Sequence, residues 1–159
     1  CGRDDLTWHF IGHLQSNKTR LVAEHFQWIH TVDRAKIARR LSAQRPPGKA
    51  DLNICIEVNI DAEPQKSGVL SGATADLASE ISELPGLRLR GLMCLPAIRH
   101  ELDEQRAPFA ALHELFESLN AEGFSLDTLS MGMTADYAAA IHEGATIVRV
   151  GTAIFGARD

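Results

Sequence analysis

The chain alternates along its length between short apolar stretches with the two-residue period of a β-strand and longer amphipathic stretches with the period of a helix. No other feature restricts the fold as strongly, because strands separated by helices pair in parallel through crossover connections. Strands are predicted at residues 8–11, 28–32, 52–60, 87–95, 126–131 and 146–150. Helices are predicted between them, one ending near residue 25 and others at residues 34–43 (capped by Asp33), 73–84, 107–121 and 135–143.

A parallel sheet must be covered on both faces, which leaves a doubly wound sheet or a (β/α) barrel. The strand at residues 52–60 favours the barrel, because Ile54, Ile56 and Val58 form a clean apolar face for helices. Its other face, with Cys55 and Glu57, is mixed and suits a barrel interior. A closed barrel needs about 200 residues or more, and this chain has 159. We therefore expect residues 1–159 to form a single α/β domain, a (β/α)8 TIM barrel with about six of its eight units, incomplete at its N-terminus.

Composition narrows the possible partners. The net charge is −5 and no basic run is present, which argues against nucleic acid because its binding needs clustered Lys and Arg. No apolar stretch approaches the roughly 18 residues of a membrane span, so we expect a cytoplasmic protein without a membrane partner. Cys1, Cys55 and Cys94 form no Cys-x-x-Cys pair, which fits reduced thiols. His9 and His13 are spaced like metal ligands on a helix, but the strand and turn predicted there argue against a metal site.

The segment from Ser130 to Thr134 predicts an anion site. A strand ends there, Gly132 allows a sharp turn, and the next helix is expected to begin with Thr134 as its N-cap. Hydroxyls, backbone N–H groups and the positive end of a helix dipole would then converge. A second turn follows the last strand at Gly151 and Thr152. Barrels commonly bind phosphate with the loops after their last two strands, which favours a phosphate site over the alternative of two ordinary capped turns.

Two further segments leave alternatives open. Arg149 shares a strand face with Ile147, so a guanidinium would point into the barrel below the phosphate loops. A buried Arg needs an anion or another acceptor, and a structural salt bridge to Glu57 is the alternative to a ligand. The loop at Lys66 is either part of an active site or a solvated turn.

Five motifs in this order resemble the pyridoxal phosphate homeostasis protein family, also known as proline synthetase co-transcribed proteins. They lie at residues 8–18, 66–68, 90–93, 130–134 and 148–156. The resemblance runs from Trp8 to the end of the chain. It implies a barrel of the alanine racemase N-terminal type that binds pyridoxal 5′-phosphate and buffers or delivers this cofactor inside the cell, without an established reaction.

The resemblance also implies roles for individual residues, although it gives no catalytic residue. The cofactor's phosphate would be held by Ser130, Gly132, Met133, Thr134, Gly151 and Thr152. Arg149 would face the pyridine nitrogen, and Asn17 and Met93 would lie near the cofactor. The lysine that forms the Schiff base in this family is expected upstream of Trp8, and Lys18, Lys36 and Lys66 do not match its position.

Three functions remain in competition. The resemblance favours a non-catalytic cofactor carrier that supplies apoenzymes dependent on pyridoxal phosphate and is a monomer in its full-length form. The first alternative is an amino-acid racemase, which would need a second base, whereas the single tyrosine, Tyr137, starts a predicted barrel helix. The second alternative is an inactive fragment that lacks the lysine.

Overall fold

A computed structural model describes residues 5–156 of the chain, so Cys1 lies outside the described residues. The elements are β1 (His9–Phe10), α1 (Thr19–His25), β2 (Trp28–Val32), α2 (Ala35–Gln44), β3 (Leu52–Val58), a 3₁₀ turn (Ser71–Ala73), α3 (Thr74–Ser82), β4 (Leu87–Cys94), α4 (Leu102–Ala121), β5 (Thr128–Met133), α5 (Tyr137–His142), β6 (Ile147–Arg149) and α6 (Thr152–Phe155). Within the described residues, no helix is both long and apolar enough to cross a membrane.

The six strands form one parallel sheet in sequence order, from β1 to β6. The central strands β3 and β4 pair over the longest register, from Leu52 opposite Leu87 to Val58 opposite Cys94. Each strand therefore follows its neighbour through a helix, as in consecutive units of a (β/α) barrel. The predicted alternation of six strands with helices is confirmed.

The sheet is strongly curved. In a flat sheet β2 and β5 would lie about 14 Å apart, because neighbouring strands are about 4.8 Å apart. Nevertheless the His30 imidazole on β2 and the Ser130 hydroxyl on β5 are hydrogen-bonded at 2.7 Å. Arg149 on β6 likewise donates to the Cys94 carbonyl oxygen on β4 at 2.8 Å. The curvature gives the sheet an outer face towards the helices and an inner face on its concave side.

The two faces of the sheet have different chemistry, as predicted from β3. Its outer residues Ile54, Ile56 and Val58 are buried in an apolar core with residues of α2, α3 and α4. Its inner residues Cys55 and Glu57 are buried outside that core. Burial raises the pKa of the Cys55 thiol to about 12, so this thiol is inert.

The starts of α2 and α4 differ from prediction. Asp33 is not the N-cap of α2, because its carboxylate accepts hydrogen bonds from the side chain of Arg34, which occupies the cap position. Helix α4 starts at Leu102, five residues before the predicted start, and contains Pro108. Acidic residues in its first turn, Asp103 and Glu104, suit the positive end of the helix and offset part of the cost of the proline.

Candidate functional site

A cavity of about 800 Å³ lies where β4, β5 and β6 end at their carboxyl edge. In parallel sheets the carboxyl ends of the strands are the usual position of ligand sites. Six of the predicted site residues line this cavity, namely Gly132, Met133, Thr134, Arg149, Gly151 and Thr152. The structure thus brings both predicted phosphate loops to one place.

Gly132 lies near the end of β5, one residue beyond the predicted end of this strand at residue 131, and shapes the backbone there. Its φ is +90°, and a Cβ at this position would approach the Cβ of Ala140 to 2.6 Å and the Cα of Tyr137 to 3.1 Å. Any side chain there would therefore be strained and would collide with α5. Glycine at this position therefore lets the end of β5 pack closely against α5.

Asp136, and not Thr134, occupies the N-cap position of the following helix. The Met133 N–H donates to Oδ1 of Asp136 at 2.6 Å, and the Asp136 N–H donates back to the Met133 carbonyl at 3.1 Å. This reciprocal pair extends the turn, so that α5 starts at Tyr137 and has only six residues. The predicted helix start at Thr134 is wrong because a carboxylate two residues later takes the free N–H of the turn.

The Thr134 hydroxyl instead connects the two loops. Its Oγ1 accepts a hydrogen bond from the Gly151 N–H at 3.3 Å. Gly151 is followed directly by α6, whose Ile154 and Phe155 N–H groups both donate to the Gly151 carbonyl. The loop after β5 and the loop after β6 are therefore joined in one wall of the cavity.

Arg149 forms the inner end of this cavity and is held from two sides. Its Nη1 donates to Oγ of Ser130 at 2.8 Å and its Nη2 to the Cys94 carbonyl at 2.8 Å. Its Nε–H is buried and has no partner among the described residues. Burial lowers the pKa of this guanidinium, which nevertheless stays a cation because arginine starts so high.

The alternative prediction of a salt bridge from Arg149 to Glu57 is wrong. Within the described part of the chain, the guanidinium is hydrogen-bonded to two neutral oxygens instead. The Glu57 side chain lies in a smaller neighbouring cavity of about 280 Å³. Burial raises the pKa of this carboxyl to about 7, with a further increase from the charge of Asp33 and a partial offset from Arg149. Glu57 is thus a titratable group close to the main cavity.

Ser130 is the one predicted phosphate residue that does not line the cavity. It is fully buried within β5, and its hydroxyl bonds both Arg149 and Nδ1 of His30. Nε2 of His30 in turn lies 2.8 Å from Nδ1 of His9. Sequence reasoning missed both histidines in this role, although a histidine in the interior of the predicted strand β2 is a detectable signal.

The remaining predicted residues lie elsewhere. Asn17 is exposed in the turn before α1 and lines no part of the cavity. Met93 is fully buried on the inner face, in register with Glu57 and Ser130. Lys66 donates to the Leu95 carbonyl and pairs with Glu63 at the rim of the smaller cavity. Nowhere in residues 5–156 do three or more His, Cys, Asp or Glu cluster as metal ligands.

Comparison with known proteins identifies the family of the chain. The sequence profile of the alanine racemase N-terminal domain family matches residues 4–159. The pyridoxal phosphate homeostasis protein of Pseudomonas aeruginosa is 58% identical over 154 residues, which cover 97% of this chain and 66% of that protein. The Escherichia coli protein of the same name is 51% identical over 158 residues, which cover 99% of this chain and 68% of that protein. The chain thus spans about two thirds of the length of these relatives.

Solved structures agree with the fold. PipY of Synechococcus elongatus, solved with pyridoxal phosphate bound, superposes with a TM-score of 0.85 at 35% identity over 96% of this chain and 71% of that one. Alanine racemase of Clostridium difficile superposes with a TM-score of 0.75 over 96% of this chain and 40% of that one, and at 14% identity it supports the fold alone. The prediction of a partial (β/α)8 barrel of the alanine racemase N-terminal type is confirmed.

Proposed function

The chain belongs to the alanine racemase N-terminal domain family and, within it, to the pyridoxal phosphate homeostasis proteins, and we propose that it binds pyridoxal 5′-phosphate in the 800 Å³ cavity as a cofactor carrier. The observation that carries this proposal is the convergence of the end of β5, the loop after β6 and one buried arginine on a single cavity. The cofactor has an anionic phosphate at one end and a ring nitrogen at the other, which matches this arrangement.

The phosphate is assigned to the wall formed by the two loops. Gly132 lets the end of β5 pack against α5, and Thr134 and Thr152 line the same wall with hydroxyls. Small residues and hydroxyls at a strand end are typical of phosphate sites. Ser130 supports this wall from behind through Arg149, since its own hydroxyl is already hydrogen-bonded.

Arg149 is assigned to the ring nitrogen. Its unpartnered buried Nε–H fits an acceptor, because a buried donor without a partner costs about 1–3 kcal/mol. When bound, pyridoxal 5′-phosphate supplies an aldehyde and an electron-withdrawing ring. A guanidinium beside the nitrogen disfavours protonation of that ring and so weakens its electron withdrawal. This suits a carrier better than an enzyme that needs the ring as a strong electron sink, such as a broad aminotransferase.

In the described residues, no lysine lines the cavity; Lys18, Lys36, Lys49 and Lys66 lie elsewhere. We therefore propose that this chain holds the cofactor non-covalently, mainly through its phosphate. Delivery to apoenzymes dependent on pyridoxal phosphate, a monomeric full-length form and a cytoplasmic location belong to the same proposal. The names of the relatives support the carrier role.

Titration of the chain with pyridoxal 5′-phosphate, followed by absorbance and fluorescence, tests the proposal. We expect saturable binding that inorganic phosphate displaces, and no gain in protein mass after borohydride reduction. Gly132→Ala drives a Cβ against α5 and so displaces the neighbouring Met133 and Thr134, and it is expected to weaken binding by about tenfold or more. Gly48→Ala is the matched control, since Gly48 also has a positive φ of +81° but has no atom within 4 Å of an added Cβ. Equal binding by both variants, or no saturable binding by the chain, contradicts the proposal.

A further inference from the structure

Four side chains on the inner face form one continuous line of hydrogen bonds. Arg149 Nη1 lies 2.8 Å from Oγ of Ser130, which lies 2.7 Å from Nδ1 of His30. His30 Nε2 lies 2.8 Å from Nδ1 of His9. The four residues belong to β6, β5, β2 and β1, so the line crosses the whole concave side of the sheet.

The chemistry of the two ends fixes the direction of these hydrogen bonds. A guanidinium only donates hydrogen bonds, so the Ser130 oxygen accepts from Arg149 and the Ser130 hydroxyl donates to His30. Nδ1 of His30 is then the acceptor, and in the neutral ring the proton sits on Nε2 and is donated to Nδ1 of His9. All donors in the line therefore point from Arg149 towards His9.

Because His30 is neutral, its ring has one donor and one acceptor nitrogen, and the hydrogen bonds can run in only this direction. Burial lowers the pKa of His30 to about 4, and the neighbouring charges of His9 and Arg149 act in the same sense. At the end of the line away from Arg149, the His9 ring is stacked on the Trp28 ring, with 5.2 Å between the ring centres and the two planes nearly parallel. His9 is thereby held in place at the far end of the line.

We propose that His30 is a positioning residue for Arg149. By accepting a hydrogen bond from the Ser130 hydroxyl at Nδ1, it keeps the Ser130 oxygen available to the guanidinium and so leaves the Arg149 Nε–H free for a ligand acceptor. This inference rests on the proposed function in one respect, the assignment of the ring nitrogen to Arg149. Without an acceptor at His30, the Ser130 hydroxyl hydrogen can turn towards the guanidinium and repel it. The Cys94 carbonyl would then be the only acceptor left for Arg149.

Two substitutions separate the two ends of the His30 ring. An asparagine amide reaches about as far as Nδ1 of imidazole, so His30→Asn preserves an acceptor for Ser130 and loses contact with His9. A glutamine amide reaches about as far as Nε2, so His30→Gln preserves contact with His9 and loses the acceptor for Ser130. A histidine that merely fills space would not distinguish the two variants in this order.

The experiment compares dissociation constants of the whole chain for three probes: pyridoxal 5′-phosphate, its 1-deaza analogue with C–H in place of the ring nitrogen, and inorganic phosphate. We expect His30→Gln to weaken binding of pyridoxal 5′-phosphate by about tenfold and His30→Asn by less than about threefold. Neither variant is expected to change the affinity for phosphate or for the deaza analogue, since neither of these probes has the ring nitrogen that is assigned to Arg149.

Equal losses for both variants, or an equal loss for all three probes, would overturn the inference. If the unsubstituted chain binds none of the probes, the proposed function fails instead. The inference is then still decided by nitrogen-15 NMR of the ligand-free chain, which reports the imidazole tautomers directly. We expect the Nε2-protonated form for His30 at neutral pH, and the Nδ1-protonated form would overturn the inference whatever the chain binds.

Discussion

The outer and inner faces of the curved sheet are built on different principles, and neighbouring residues of β3 illustrate both. Ile56 lies in an apolar core whose members are held by shape and by exclusion of water. Glu57, one position later, lies on a face where polar groups are fixed by specific partners and by partial burial. The outer face can thus keep the barrel folded while the inner face is free to hold a ligand.

The largest expected effect is on stability and comes from the outer face. Leu112 on α4 is fully buried, and Leu112→Ala should lower the free energy of unfolding by about 3–5 kcal/mol because it leaves a cavity. Affinity for pyridoxal 5′-phosphate, measured well below the unfolding transition, should stay unchanged. Urea unfolding gives the first quantity and the titration described above gives the second.

Leu102→Ala is the matched control, since Leu102 lies on the same helix and is 50% exposed. We expect it to cost less than about 1 kcal/mol. A clear loss of affinity in folded Leu112→Ala would show that the two faces are not independent and would break the comparison.

The next effect concerns the inner face and depends on pH. The pKa of Glu57 is raised in the folded chain to about 7 from its ordinary value of 4.5, so the folded state binds this proton more tightly than the unfolded state. The stability that it contributes is fully present below pH 4.5 and is lost as the pH rises to about 7. Glu57→Gln should therefore be more stable than the parent at pH 8 by about 1–3 kcal/mol, with the difference disappearing towards pH 4.

Thermal unfolding across this pH range measures the effect, and Glu114→Gln on the exposed surface of α4 serves as the control. A difference between Glu57→Gln and the parent that does not vary with pH would mean that the carboxyl is not desolvated in the folded chain. The inner face would then be an ordinary wet surface and not a low-dielectric site.

The same contrast explains what the sequence could predict. The outer face follows from local periodicity, so six strands, their order and the apolar residues of β3 were all predictable. The two loops with Gly132 and Gly151 were also predictable, since strand ends in a barrel converge. The side-chain hydrogen bonds of the inner face were not predictable, because His30 and Ser130 are 100 residues apart and meet only through the curvature of the sheet. Ser130 was predicted to hold the phosphate because it is close in sequence to Gly132 and Thr134. The sequence does not reveal that its hydroxyl is buried and hydrogen-bonded to His30 and Arg149.

The smallest expected effect separates the two ends of the inner face. At the amino end, Arg90 lies over the Trp28 ring and is bound by Asn53 and by two oxygens of Asp127. Each of its three nitrogens donates to a partner, in contrast to Arg149 with its unpartnered Nε–H. We therefore expect Arg90 to be structural and Arg149 to serve a ligand.

Asp127→Asn tests this division. The Asp127 side chain is 47% exposed, so water screens its ion pair with Arg90 and the loss of stability should be only about 0.5–1 kcal/mol. The Arg90 hydrogen bond lowers the pKa of Asp127, and this contribution should fade as the pH falls below about 4, which thermal unfolding in acid would detect. Affinity for pyridoxal 5′-phosphate at neutral pH should be unchanged. A tenfold loss of affinity would mean that a change at Arg90 reaches Arg149 through the stacked rings of Trp28 and His9. The two ends of the inner face would then act as one site.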